Sequence, residues 1–139
     1  DRRIVIRPHP RNLDKTLNQV HTKILVNNKK NNVVLSENLT KGGNQGGEGL
    51  SADLAQAYCV VSFNSNSSVE AAIEGIPVFS LNDGSMTYPI SHKKLSQIEK
   101  IDYNIDITNW QNKIAYTMWN KPDVISGECW EHLKPVYFS

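Results

Sequence analysis

The chain has 139 residues, 15 Lys+Arg against 14 Asp+Glu, and two cysteines. That length suits one domain with its own core, and a net charge of +1 excludes bulk attraction to nucleic acid or to an anionic membrane surface. No apolar run reaches the roughly 20 residues of a membrane span, no signal-like segment opens the chain, and the cysteines match neither a disulfide framework nor a zinc spacing, so a reducing, cytoplasmic setting is expected.

In chain order, Arg3-Ile4-Val5-Ile6-Arg7 is β-branched at its centre and is stopped by Pro8 and Pro10, the pattern of a buried strand. Its closeness to Asp1 reads as the start of a fragment of something longer. Leu13, Leu17, Val20 and Ile24 form the stripe of an amphipathic helix. Val33-Val34-Leu35-Ser36 is a second strand. Residues 40–49 hold five of the eight glycines and read as a loop, a candidate lid. A short helix is expected over residues 51–57 with Ser51 as N-cap, then a third strand over residues 59–63. Residues 69–74 read as a helix closed by Gly75 and Pro77, and residues 78–81 as a fourth strand. Beyond a loop-rich stretch with a short helix at residues 95–99, the spacing of Ile107, Trp110, Ile114 and Met118 predicts a longer helix. Pro122 fits the first turn of another, closed near Gly127. Trp130, Leu133 and Tyr137 are expected to pack a tail onto the domain. The whole, residues 1–139, reads as one α/β domain. Its expected form is a Rossmann-like parallel sheet of four to five strands with flanking helices and a helical C-terminal tail.

Ligands of such sheets gather at the carboxyl ends of the strands, so the residues after each strand matter most. The first strand is followed by Arg7-Pro8-His9-Pro10-Arg11, and all four arginines of the chain lie in its first eleven residues. Guanidinium groups grip phosphate in a two-pronged way, and the prolines preset the backbone around His9. The segment reads as a preorganised anion contact or as a proline-bounded turn with surface arginines. The third strand is followed by Asn64-Ser65-Asn66-Ser67-Ser68, small polar residues at a strand-to-helix turn, where backbone N–H groups favour an anion. Ser67 and Glu70 also fit a capping box, which alone would merely close the helix.

The remaining chemistry-bearing residues carry less. The glycine stretch 41–49 lacks the Gly-Lys-Ser/Thr ending of a phosphate-binding loop. Residues 83–88 could contact a base or sugar, or form an ordinary turn. His21 and His132 read as structural or solvated, His92 as part of a solvated face beside Lys93 and Lys94, and Cys59 as inert core. No Gly-x-Ser-x-Gly elbow is present, and Asp53, Glu70, Glu74, Asp83 and Glu99 have no clear acid–base partner.

Arg-Pro-His-Pro at residues 7–10, followed by Asn-Ser-Asn-Ser-Ser-Val-Glu-Ala-Ala-Ile-Glu-Gly-Ile-Pro-Val at residues 64–78, resembles the C-terminal donor-binding half of GT-B glycosyltransferases. The likeness is nearest to the capsule-polysaccharide and bacterial sialyltransferase-like branch, which pairs a His-Pro with a Ser-Ser motif. The resemblance implies that His9 and Pro10, with Arg7 or Arg11, and Ser67 and Ser68 meet the nucleotide of a nucleotide-sugar donor. Asn66-Ser67-x-x-Glu70 is similar to the core of the plant-type UDP-sugar signature, which implies Asn66 and Ser67 at the phosphates and Glu70 on the ribose. The later stretch, with Trp119, residues 126–128 and residues 130–133, is similar to tails of glycosyltransferase-like proteins in bacteriophages.

Two features depart from the pattern. The N-terminal half of a GT-B enzyme has no counterpart here, and the acidic catalytic motif of the sialyltransferase branch is missing. The resemblance therefore implies half an enzyme that needs an N-terminal domain or partner chain. The donor would be its substrate, with no metal or other cofactor, and a glycan or modified DNA base its acceptor. A non-catalytic nucleotide or phosphosugar binder, or half of a sugar-nucleotide epimerase, stands beside that reading.

Overall fold

Each of the four β-branched segments forms a strand in the computed structural model, which describes residues 2–8, 23, 27, 32–37 and 46–138. The strands are β1 (Ile4–Ile6), β2 (Val33–Leu35), β3 (Val60–Ser62) and β4 (Val78–Ser80). The described helices are α1 (Gly46–Leu54), α2 (Ser67–Ile73), α3 (Thr108–Thr117), α4 (Lys121–Ser126) and α5 (Glu128–Tyr137), with single 3-10 turns at Tyr88–Ile90 and Leu95–Gln97. The helix expected over Leu13, Leu17, Val20 and Ile24 lies outside the described residues.

The protein is mixed α/β, and its strands pair in parallel as two small sheets, β1 with β2 and β3 with β4. Parallel neighbours cannot be joined by a tight hairpin and need a crossover. Between β3 and β4 that crossover is α2, which packs against both strands. It closes as its sequence requires. Gly75 takes φ 78°, its N–H donates to Ala72 O, and Ile76 N–H donates to Ala71 O. That double bond with a left-handed residue is the Schellman closure, which glycine adopts without a Cβ penalty.

The core forms where α1, α2 and the 3-10 region meet β4: Leu50, Leu54, Val69, Ala71, Ala72, Val78, Ile90 and Trp110. Because α2 runs back along β4, Ala71 and Ala72 share the apolar core with Val78, and Ser68 comes level with Ser80. Trp110 is buried, and its indole N–H donates to Met86 O at 2.7 Å, which fastens α3 to the loop after β4.

Five expectations need correction. The first strand is not buried: Ile4 and Val5 of β1 are exposed. The second half of the glycine-rich stretch is helical, so Ser51 sits inside α1 and does not cap it. Glycines at 46, 47 and 49 each cost a helix about 1 kcal/mol relative to alanine. Burial of Leu50 and Leu54 offsets this by about 1.5–3 kcal/mol each. Tertiary packing wins. His92 is buried instead of solvated, because its backbone continues the sheet: His92 N–H donates to Val78 O and Ser80 N–H to His92 O. Its ring stacks on Phe79 with centroids 4.8 Å apart.

The residue 67–70 capping box does not form, whereas one does at Asn120 and Asp123, where each side chain accepts from the other's backbone N–H. In the tail, Trp130 and Tyr137 are exposed and only Leu133 is half-buried. The tail instead docks through His132, whose ring lies 4.7 Å from Tyr116 and 5.1 Å from Trp119.

Candidate functional site

Two turns lie together at the carboxyl ends of β3 and β4, residues 63–66 and residues 81–87. A Cβ added to Gly84 would sit 4.0 Å from Asn64 Nδ2, which measures how close the turns come. Beneath them is a cluster of buried hydroxyls. Thr87 Oγ1 donates to Ser68 Oγ at 3.0 Å, lies 2.7 Å from Ser80 Oγ and 3.1 Å from Ser85 Oγ. Ser68 Oγ in turn donates to Ser65 O at 2.6 Å. Ser68 and Thr87 are fully buried, and Ser80 and Ser85 nearly so. A hydroxyl away from water is tolerable only when bonded, and here each completes another. The cluster therefore ties the start of α2, the end of β4 and the following turn into one unit.

Each predicted site residue has a definite place relative to this unit, where described. Ser68, expected at a phosphate, supports the turn from below with its hydroxyl already engaged. Ser67 is half-buried, its hydroxyl 2.8 Å from Ser65 Oγ, which also accepts from Ser67 N–H at 3.3 Å. Ser68 N–H donates to Ser65 O, and the amides of Val69 and Glu70 both donate to Asn66 O. Asn66 and Glu70 are exposed on the outer side of the turn. The one first-turn amide held by a side chain is Ser67 N–H, and 3.3 Å is long for such a bond. An anionic oxygen is a stronger acceptor than a neutral hydroxyl, so a phosphate could replace Ser65 Oγ there.

Arg7 turns inward from the end of β1. Its Nη1 lies 2.6 Å from Asp53 Oδ2 on α1 and donates to Gly49 O at 3.1 Å. Ser36 Oγ donates to the same Asp53 oxygen at 2.6 Å. Both charged side chains are mostly buried, so Arg7 serves first as a clamp between β1, β2 and α1. His9, Pro10 and Arg11 lie outside the described residues.

The hydroxyl cluster was not anticipated from sequence. Its signal was Ser80 at the same strand face as Val78, two positions on, followed by Ser85 and Thr87: a polar residue at an inward position needs partners nearby. Burial pushes the Cys59 thiol up, but Cys59 is half-buried just ahead of β3 and is not part of the core expected for it. Among the described residues no group of His, Cys, Asp and Glu could hold a metal, and no helix is long and apolar enough to cross a membrane. No protein-family model, curated protein or solved structure matches this chain.

Thr87→Val keeps the shape of Thr87 and removes its hydroxyl, leaving Ser68, Ser80 and Ser85 short of a partner. The expected loss is about 1–3 kcal/mol in urea unfolding, well above an exposed Thr→Val change. A loss near zero would show that the cluster does not hold the turns.

Proposed function

We propose that the turns after β3 and β4 form the phosphate end of a nucleotide-sugar site, and that this chain is the donor-binding half of a GT-B glycosyltransferase. The observation that carries the reading is the hydroxyl cluster, which fixes a Ser/Asn-rich turn at the carboxyl edge of a parallel strand pair. On this reading Ser67 and Asn66 meet the phosphates, Glu70 takes ribose hydroxyls, and His9 and Pro10, with Arg11, meet the nucleotide. Ser68 holds the two turns together, and Arg7 clamps β1 and β2 to α1.

The two strand pairs would belong to one Rossmann-like sheet of four to five strands. Supporting this, the Arg2 guanidinium before β1 lies 3.9 Å over the Tyr58 ring, two residues before β3. At the other end of β1, Arg7 pairs with the helix that leads into β3.

Catalysis by this half would be electrostatic. Charge that develops on the departing nucleotide phosphate is met by fixed donors, and no covalent intermediate forms on these residues. The base that takes the proton from the acceptor hydroxyl would come from a second domain or partner chain. His9→Ala is expected to weaken nucleotide affinity at least tenfold, about 1.4 kcal/mol, by calorimetric titration. Unchanged affinity in that variant would remove His9 from the site.

A further inference from the structure

β1 and β2 pack on each other, and neither makes comparable contact with β3, β4 or a described helix. None of their apolar side chains joins the core, and Ile4 and Val5 stand exposed. The bonds that tie them to the described remainder of the domain are polar, and arginine supplies most of them. At the start of β1 the Arg2 guanidinium lies over the Tyr58 ring and donates to Glu99 Oε2. At its end Arg7 Nη1 donates to Asp53 Oδ2 and to Gly49 O of α1. Ser36, just after β2, donates to the same carboxylate oxygen. Arg3 and Asn32 act within the pair: Arg3 bonds Glu37, and Asn32 Nδ2 donates to Arg2 O.

A shared apolar core opens as a whole, whereas a few polar bonds can break while that core stays closed. We propose that β1 and β2 form one hinged unit, latched by Arg2 and Arg7, that swings away from β3 and β4 while their core stays folded. The two latches are unequal. Arg2 and Glu99 are 49% and 71% exposed, so water and salt weaken their pair. Arg7 and Asp53 are 17% and 16% exposed, and theirs is the stronger latch. Arg7 and Pro8 leave β1 at its carboxyl end, so opening moves them, and the chain that follows, relative to the turns after β3 and β4. On the nucleotide reading that motion opens and closes the site, but the hinge itself does not rest on that reading.

Hydrogen exchange of the full chain, followed by NMR, tests the hinge. The amides of Ile4 and Ser36 are bonded to Asn32 O and Ile6 O across the first pair, and those of Val60 and Leu81 to Pro77 O and Ser62 O across the second. Ile4 and Ser36 are expected to exchange about tenfold or more faster than Val60 and Leu81. Dilute urea should quicken Ile4 and Ser36 together, the mark of an opening that exposes surface and not of a fraying end. Phe79→Leu weakens the second pair alone. It should quicken Val60 and Leu81 by about tenfold and leave Ile4 and Ser36 within about twofold. Asp53→Asn keeps the shape of the latch and removes its charge, and should quicken Ile4 and Ser36 by about tenfold or more. Equal protection of all four amides in the unaltered protein overturns the hinge. So does equal quickening of all four by Phe79→Leu, and so does exchange at Ile4 and Ser36 that Asp53→Asn leaves unchanged. The first of these outcomes needs no variant, so it decides even if a variant fails to fold.

Discussion

Asp53→Ala should lower the unfolding free energy by about 3–5 kcal/mol, a large share of the roughly 5–15 kcal/mol of an ordinary domain. The substitution leaves the Arg7 guanidinium in a place where its side chain is 17% exposed and where Asp53 Oδ2 had been 2.6 Å away. It also takes one acceptor from Ser36 Oγ. Most of the cost is the loss of the carboxylate that faces a mostly buried positive charge, not the net strength of the pair. Replacing both partners at once, Arg7→Met with Asp53→Leu, should therefore cost less than Asp53→Ala alone. Urea unfolding of the two variants separates these terms. A single-variant loss below about 1 kcal/mol would place the pair among exposed ion pairs, which contribute little.

Phe79→Ala is expected to be of similar size, about 3–5 kcal/mol, for a different reason. Phe79 is fully buried at the centre of β4, in register with Val61 on one side and bridged to His92 on the other. Truncation removes the transfer free energy of the ring, opens a cavity, and ends the stack on His92, itself worth about 0.5–1.5 kcal/mol. Phe79→Leu should recover most of that loss. Thermal unfolding reads both, and a Phe79→Ala cost near that of an exposed substitution would contradict the packing described.

How far these features could be read from sequence depended on how local their causes are. The strands were legible because Ile4-Val5-Ile6, Val33-Val34-Leu35, Val60-Val61 and Val78-Phe79 are β-branched or aromatic runs cut by prolines, glycines and polar residues. Gly75 and Gly127 were legible as helix ends because a left-handed φ, 78° and 82°, is a local demand that glycine meets. The helix over residues 46–49 was not legible. Its glycines argue against it locally, and Leu50, Leu54 and the Arg7 bond to Gly49 O decide the matter from a distance.

His92 fails for the same reason. Two neighbouring lysines mark a solvated face, yet the open edge of β4 draws the backbone of residue 92 into the sheet. Lys93 resolves the conflict by reaching sideways, with its ammonium 3.8 Å over the Tyr88 ring.

The candidate site was half legible. Asn66, Ser67 and Glu70 were placed at a strand-to-helix turn, and that is where they lie. What sequence could not supply was the division of labour within the turn. Ser67 and Ser68 are adjacent and chemically identical, but one step along a helix rotates a side chain by about 100°, which buries one hydroxyl beneath the turn and leaves the other half-exposed. Arg7 likewise reads as a surface cation until Asp53, 46 residues away, is brought against it.

The nucleotide reading is tested most directly by following backbone amides in NMR spectra while UDP, CMP or GDP is added. The account predicts a saturable shift with at least one of the three, largest at the amides of Ser65, Asn66, Ser67 and Ser68 and at those of Gly84 and Ser85. Absence of saturable binding by all three, or shifts confined to residues away from both turns, would contradict it.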